Sequence, residues 1–302
     1  MTSPELSLVI PAFNSVRYLA GNVDRVRAFF DHAGIDGEIV VADDGSSDGT
    51  AASITPSDRV RVLGLPHGGK GAAVRAGIAA TTGEICGFTD ADLPYGTEAL
   101  PLAMSYIRDR RYHAVIGDRT LPGSAYASTG PLRTAVSEVA SFLFRTLVTG
   151  GIYDTQCGFK FFRGDVGREV FRLTRINGFA MDVEVIYLLL KYRLDVKRIP
   201  VRLERNEASS VRVIRDSLTA FCDIASVRGN WAGGRYRTPL LHDLLEAELR
   251  QDVESAAAHL GGPGPVVGSG EERAPRPITQ LTSSTTMSSN SAVSPRVPPG
   301  SR

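Results

Sequence analysis

Two aspartates one residue apart are the strongest candidates for metal chemistry in this sequence. Asp90 and Asp92 directly follow the short apolar run 85–89. Mg²⁺ and Mn²⁺ prefer oxygen ligands and commonly take one or two carboxylates together with substrate phosphates. The pair therefore predicts a divalent-ion site, where the ion would neutralise charge developing on a departing diphosphate. A solvated loop, or a helix cap formed by Asp92, is the alternative for an isolated pair of this kind.

A second acidic pair lies in a stretch rich in turn-forming residues. Asp43 and Asp44 follow the apolar run 38–42 and open the segment 43–50, Asp-Asp-Gly-Ser-Ser-Asp-Gly-Thr. Carboxylates in such a turn can accept hydrogen bonds from a nucleobase or a ribose, and the glycines allow a close backbone approach. Asp48 is placed to cap a following helix. A plain polar turn that caps this helix stays open as the alternative.

Cationic residues that could hold phosphate occur at three places. Lys70 lies in the Gly-rich stretch 67–71 before a predicted helix, where backbone N–H groups and a lysine can meet a phosphate. Arg119 and Arg133 carry the side chain best suited to bidentate phosphate contacts. A flexible turn and two solvated surface charges are the alternatives.

Three further carboxylates are candidates for a catalytic role. Asp154 could act as a general base, lie close to a metal ion, or only form a turn. Asp182 and Glu184 flank Val183, so they project to the same side only if this segment is extended. One of the two could be catalytic, or both could lie on the surface.

The elements that must position these residues are strands alternating with helices. The predicted strands are 6–10, 38–42, 60–63, 85–89, 114–117 and 196–203, and the predicted helices are 16–32, 72–80, 99–108, 132–148, 183–192, 215–227 and 240–260. This alternation predicts an α/β fold with a mostly parallel sheet covered by helices. Ligands of such sheets bind beyond the carboxyl ends of the strands, where both acidic pairs fall.

The composition narrows the class of protein. Over 302 residues, 34 Lys and Arg balance 33 Asp and Glu, so charge gives no reason to expect a nucleic-acid partner. Three distant cysteines indicate reduced thiols and a cytoplasmic protein. No signal peptide or transmembrane helix is expected. The helix 215–227 has basic flanks, which leaves peripheral membrane contact open. The Gly-, Pro-, Ser- and Thr-rich stretch 261–302 is predicted to be a disordered tail.

Several motifs taken together resemble the family 2 glycosyltransferases of the GT-A fold. The matching segments are Val9-Ile10-Pro11-Ala12-Phe13-Asn14, the acidic stretch within 41–50, and Thr89-Asp90-Ala91-Asp92. The segments 154–162 and 178–184 are similar to motifs of the dolichyl-phosphate β-glucosyltransferases and their bacterial relatives. The resemblance covers about residues 6–237.

This resemblance implies a division of the chain. A GT-A (Rossmann-like) domain is expected over 1–237, with a nucleotide-sugar-binding half, 1–118, and an acceptor half, 119–237. A C-terminal helix, 238–260, and the tail, 261–302, follow.

The resemblance also implies roles for the candidate residues. The nucleoside is expected at Asp43 and Asp44, and Mg²⁺ or Mn²⁺ at Asp90 and Asp92. The donor-binding set comprises Pro11, Asn14, Asp43, Asp44, Lys70, Asp90, Ala91, Arg119 and Arg133, and the catalytic candidates are Asp154 and Asp182. Pro94 stands where relatives often carry a glutamine ligand, so water or phosphate is expected to complete the metal's ligand shell.

The implied activity is inverting transfer of a sugar, with glucose from UDP-glucose as the expected donor, to a polyprenyl phosphate. Such an acceptor is largely ionised near neutral pH, since its second pKa is about 6, and needs cations and alignment more than a base. A hydroxyl acceptor needs a base, and Asp154 is the first candidate. A small soluble acceptor is an alternative. A sugar-nucleotide nucleotidyltransferase is another, although it should carry a basic Gly-rich loop where this chain has residues 11–14. A non-catalytic sugar-nucleotide-binding protein is the third.

Overall fold

The structure is a computed structural model that describes residues 3–124, 154, 157–203 and 225–260. All of these residues belong to one compact unit, Met1–Gly264. Several sequence predictions lie outside the described residues, namely Arg133, the helix 132–148, most of the helix 215–227 and the tail 261–302. The division into halves at residues 118 and 119 remains a prediction.

The described residues form one seven-stranded sheet. Its strands are β1 (Leu6–Ala12), β2 (Gly37–Asp43), β3 (Val60–Gly64), β4 (Ile85–Thr89), β5 (Ala114–Asp118), β6 (Phe159–Arg163) and β7 (Val196–Pro200). They lie in the order β3-β2-β1-β4-β6-β5-β7. Only the two pairs made by β6 are antiparallel. The carboxyl ends of the other strands and the amino end of β6 therefore meet at one edge, which we call the C-terminal edge.

Helices cover both faces of this sheet. Those in the described part of the chain are α1 (Leu19–Ala33), α2 (Lys70–Ala79), α3 (Leu100–Arg108), α4 (Gly164–Leu173), α5 (Met181–Lys191) and α6 (Pro239–Leu260), with a further helical segment at 225–232. Because side chains alternate along a strand, Val9 packs with α2, α4 and α5, while Leu8 and Ile10 pack with α1 and α3. The predicted α/β fold is confirmed. No helix among the described residues has the length and apolarity needed to cross a bilayer.

Two elements are absent from the sequence predictions, and the alternative that both Asp182 and Glu184 lie on the surface is wrong, because both are buried. Strand β6 reads Phe-Lys-Phe-Phe-Arg, and its lysine interrupts the apolar run that would mark a buried strand. The helix α4 follows it directly. Asp182 and Glu184 lie in the first turn of α5, not on an extended segment, so their side chains point to different partners.

Contact between β4 and β6 depends on a glycine. Gly87 pairs with Phe161, and a Cβ on residue 87 would overlap the Phe161 ring. We expect Gly87→Ala to lower the free energy of unfolding by about 1–3 kcal/mol, because the added methyl group must displace a packed ring. A Cβ added at Gly21 in α1 would meet open space. Gly21→Ala should therefore raise the free energy of unfolding by about 0.5–1 kcal/mol. Urea unfolding midpoints measure both, and shifts of the same sign would contradict this packing argument.

Candidate active site

Strand β4 delivers Asp90 to the C-terminal edge, where it meets Lys70. The Lys70 Nζ lies 2.6 Å from Asp90 Oδ1. Lys70 is the first residue of α2 and follows Gly69, whose φ of 100° is one that residues with a side chain rarely adopt. Burial disfavours the charged lysine, but the carboxylates of Asp90 and Asp182 raise the pKa of Lys70 above its usual value. The side chain is therefore a permanent cation beside Asp90.

The surroundings of Asp90 fit a divalent ion. A Cβ on residue 158 would overlap the Asp90 carboxylate, so Gly158, directly before β6, leaves the space that this carboxylate occupies. Leu93 N–H donates to the Asp90 carbonyl over 3.0 Å, which places Asp92 on the same tight turn. Among the residues that the structure describes, no group of three or more His, Cys, Asp or Glu could enclose a metal. An ion here would be held by Asp90 and Asp92 and completed by phosphate and water oxygens.

Asp44 holds the Gly-rich stretch that precedes Lys70. Its carboxylate accepts hydrogen bonds from the N–H groups of Gly68 (2.7 Å) and Gly69 (2.9 Å). The His67 Nδ1 lies 2.9 Å from the same carboxylate. Asp44 is buried, so the structure shows this carboxylate fixing the position of Lys70, while its expected contact with a nucleoside remains a prediction.

The turns after β1 and β2 are tied together beside this stretch. Asn14, which has a φ of 49°, receives a hydrogen bond from Ser47 N–H on its Oδ1 (3.0 Å) and donates its own N–H to Ser46 Oγ (2.9 Å). Asp43 accepts hydrogen bonds from Ser46. Pro11 is buried inside β1 opposite Ala42, so it shapes the backbone that presents Asn14.

Ala91 and Asp48 both have structural roles in this region, and the contact of Ala91 with the donor remains a prediction. Ala91 is buried, and its carbonyl accepts a hydrogen bond from Asn22 Nδ2 over 2.8 Å, which fixes the turn carrying both metal-ligand candidates. Asp48 accepts hydrogen bonds from Thr50 and from Val16 N–H. The short 3₁₀ helix Ala51–Ser53 has no side-chain cap, so Asp48 stabilises a turn and does not cap a helix.

Arg119 and Asp154 form a bidentate ion pair at the end of β5. Arg119 donates to the Asp154 carboxylate from Nε (2.7 Å), from Nη2 (2.7 Å) and from its backbone N–H (2.9 Å). Burial would raise the pKa of Asp154, but the hydrogen bonds and charge of Arg119 hold it below its usual value. An ionised, fully engaged carboxylate is a weak base, so the geometry favours Asp154 as the support of Arg119 over the general-base hypothesis.

A buried lysine is the site residue that the sequence patterns miss. Lys160 in β6 donates from Nζ to Asp182 Oδ1 (2.6 Å) and to the Cys157 carbonyl (2.7 Å). Asp182 is buried as well, and its carboxylate lies 2.6 Å from Lys160 Nζ and 4.0 Å from Lys70 Nζ, while a catalytic role for it remains a prediction. A lysine in the middle of an otherwise apolar strand is the signal that could have identified it.

Two neighbouring residues, Glu184 and Cys157, are buried beside this site. Glu184 accepts hydrogen bonds from Arg175 N–H (2.9 Å), from Ile176 N–H (2.9 Å) and from the Tyr236 hydroxyl, so it holds the loop before α5. Burial raises the pKa of Cys157 to about 12, which leaves a neutral thiol and therefore a poor nucleophile at neutral pH.

An α/β sheet with an acidic turn, fixed cations and a Gly-rich stretch at one edge is the arrangement of a nucleotide-dependent transferase. The sequence profile of the glycosyl transferase family 2 matches residues 7–171. The chain belongs to glycosyl transferase family 2 and is a glycosyltransferase.

Curated relatives extend the match beyond this region. The dolichyl-phosphate β-glucosyltransferase of Dictyostelium discoideum is 30% identical over 251 residues, which cover 77% of this chain and 76% of the relative. The enzyme of the same name from Drosophila melanogaster is 32% identical over 228 residues, 69% of this chain and 70% of the relative. The Homo sapiens enzyme of this name is 28% identical over 258 residues, 77% and 78% of the two chains.

Solved structures share the fold. Mannosyl-3-phosphoglycerate synthase from Rubrobacter xylanophilus superimposes with a TM-score of 0.58 at 20% identity and covers 78% of this chain and 76% of its own. Glucosyl-3-phosphoglycerate synthase from Mycobacterium tuberculosis, in complex with Mn²⁺, UDP-glucose and phosphoglyceric acid, gives a TM-score of 0.55 at 19% identity, with 74% and 80% covered. These similarities confirm the predicted GT-A fold.

Proposed function

We propose that this protein transfers glucose from UDP-glucose to a polyprenyl phosphate with inversion at the anomeric carbon. The relatives named above are dolichyl-phosphate β-glucosyltransferases, and their similarity extends over 69–77% of this chain. The observation that carries the choice of acceptor is the Arg119–Asp154 ion pair. In this pair Arg119 engages the carboxylate that could serve a hydroxyl acceptor as a base, whereas the fixed guanidinium group suits a phosphate acceptor.

The proposed roles follow from the positions of the side chains. Asp90 and Asp92 hold Mg²⁺ or Mn²⁺, which supplies charge neutralisation to the diphosphate of the donor when bound. Lys70 lies beside Asp90 and is placed to contact the same diphosphate. Arg119 binds and orients the acceptor phosphate, while Asp154 keeps the guanidinium in one orientation.

The reaction then needs no proton transfer from the protein. An acceptor phosphate oxygen attacks the anomeric carbon and forms the new C–O bond, while the bond from that carbon to the UDP oxygen breaks and UDP leaves with the electron pair. Because the second pKa of a phosphate monoester is about 6, the attacking oxygen is already ionised at neutral pH. Alignment and fixed positive charge are therefore the main contributions of this site.

The direct test supplies the purified full chain with Mn²⁺, radiolabelled UDP-glucose and a short polyprenyl phosphate. We expect label in the organic phase, its loss with EDTA, and its loss in Asp92→Asn, the control for contaminating activity. GDP-mannose and UDP-N-acetylglucosamine replace the donor in parallel reactions. Transfer only to a soluble acceptor such as 3-phosphoglycerate would overturn the lipid acceptor, and transfer from another donor would overturn glucose.

A further inference from the structure

Four side chains of alternating charge run from the protein interior to the candidate metal site. Lys160, Asp182, Lys70 and Asp90 are joined in that order, with Nζ–Oδ distances of 2.6, 4.0 and 2.6 Å. The exposed fractions of the four side chains rise along the series, 0%, 2%, 15% and 29%. We call this series the ion-pair chain. Its inner half is sealed from water, and its outer end is the carboxylate proposed to hold the metal ion.

Lys160 reaches Asp90 by a second route. Its Nζ also donates to the Cys157 carbonyl over 2.7 Å, which fixes the backbone just before Gly158. The Asp90 carboxylate lies directly against Gly158. Lys160 therefore constrains Asp90 from two sides, through the charges of Asp182 and Lys70 and through the backbone turn that opens β6.

A buried ion pair of this kind is poorly explained by stability alone. The free energy needed to desolvate two charges equals or exceeds the favourable free energy of their attraction. Apolar residues of similar size therefore often stabilise a core better. The other buried residues of this strand are all phenylalanines. The charge at this position is therefore better explained by what it fixes than by the stability it adds.

Asp182 gives Lys70 a second partner. Lys70 is bound to Asp90 at 2.6 Å and lies 4.0 Å from Asp182. If Asp90 held a metal ion, its attraction for Lys70 would weaken, and Asp182 would remain as an anionic partner of the ammonium group. Without Asp182, the Lys70 ammonium group would keep, among the described residues, only the rings of Phe88 and Phe179, 5.9 and 5.8 Å away, as neighbours besides Asp90.

We infer that Lys160 and Asp182 are positioning residues, which set Asp90 and Lys70 for the metal ion and the donor diphosphate without touching the substrate. The inference rests on the proposed metal and donor site, not on the identity of the acceptor. It also links the two predicted halves of the chain, because β6 and α5 belong to the acceptor half, and β4 and α2 to the donor half.

The test measures Mn²⁺ binding by the full chain in the presence of UDP, from the electron paramagnetic resonance signal of free Mn²⁺. We expect Lys160→Met to weaken Mn²⁺ affinity at least tenfold and to raise the KM for UDP-glucose. Asp182→Asn should have the same two effects. The Mn²⁺ affinity of the double variant should be no lower than that of the weaker-binding single variant, because both substitutions remove the same ion pair. Lys197→Met is the matched control, a lysine of β7 packed on tyrosine rings, and should leave Mn²⁺ affinity unchanged.

Each outcome bears on the inference separately from the proposed acceptor. Folded Lys160→Met protein that binds Mn²⁺ and UDP within twofold of the wild type would overturn it, as would wild-type protein that binds no Mn²⁺. If Lys160→Met does not fold, the double variant Lys160→Met/Asp182→Asn, which leaves no buried charge unpaired, decides between the same two results. Weakened Mn²⁺ binding together with no glycosyl lipid from the wild type would uphold the inference and refute only the acceptor.

Discussion

Asp90→Asn is expected to lower kcat for sugar transfer about 10³-fold. A metal ion that neutralises a leaving diphosphate contributes several kcal/mol to the transition state, and each ~1.4 kcal/mol is a factor of ten in rate. The substitution keeps the size of the side chain but removes the charge that would hold the ion and that pairs with Lys70. Initial rates at saturating donor and Mn²⁺ measure the effect.

The control for this variant is Asp58→Asn. Asp58 is an exposed residue in the loop before β3, and its substitution should leave kcat at the wild-type value. Circular dichroism checks that Asp90→Asn is folded before the rates are compared. If Asp90→Asn retained a tenth or more of the wild-type rate, the carboxylate would not be a metal ligand in the transition state, and the proposed site would have to be moved.

Asp154→Asn is expected to lower both stability and activity. Removing one partner of a buried pair costs about 3–5 kcal/mol, and the lower end applies because Arg119 is 31% exposed. The amide cannot hold the guanidinium at two points, so transfer to the acceptor should fall about 10²-fold through a raised acceptor KM and a lower kcat. Denaturant unfolding and steady-state kinetics measure the two effects.

The pH dependence of the free energy of unfolding tests whether the Arg119–Asp154 ion pair causes this loss of stability. Burial would raise the pKa of Asp154, but Arg119 holds it below its usual value. The pair therefore stabilises the fold above the ordinary pKa range of an aspartate, and this stability is lost as pH falls through the lowered native pKa. The wild type and Asp154→Asn should differ most at neutral pH and converge in acid. Asp24→Asn, which breaks an exposed pair with Arg27, should show no such difference.

Kinetics distinguish a positioning role from a base. If Asp154 supports Arg119, then Arg119→Met and the double variant Asp154→Asn/Arg119→Met should have similar rates, since the second change removes nothing further. An additive loss, with an acid limb of kcat that disappears in Asp154→Asn, would restore the general-base hypothesis.

The sequence predicts the regular part of this fold well because local patterns determine it. Short apolar runs mark β1 to β5, and the structure moves their ends by no more than two residues. Parallel strands meet at one edge by topology, so Asp43 and Asp90 could be placed near each other without coordinates. The strand predicted over 196–203 ends at Pro200, since proline cannot continue the ladder as a donor.

The parts that escape prediction depend on contacts between distant segments. Strand β6 is missed because Lys160 interrupts its apolar pattern. Burying this charge is unfavourable unless it is paired, and its partner Asp182 lies 22 residues further along the sequence. Asp44 and Asp154 are predicted as candidate functional groups from their types. Whether each binds a ligand or a neighbouring loop depends on partners such as Gly68 and Arg119, whose approach no local pattern encodes.

The order of strands in the sheet has a consequence for how the molecule assembles. Strands β1 to β4 are joined by short crossovers between near neighbours in sequence, so their pairing involves small loop-closure entropies. Strand β6 inserts between β4 and β5 from a point far along the chain. We expect it to join late, and hydrogen exchange after a refolding pulse should protect β1 and β2 before β6. Lys160 and Asp182 would then be desolvated together in this late step. The C-terminal edge would therefore become ordered only when the whole sheet has formed.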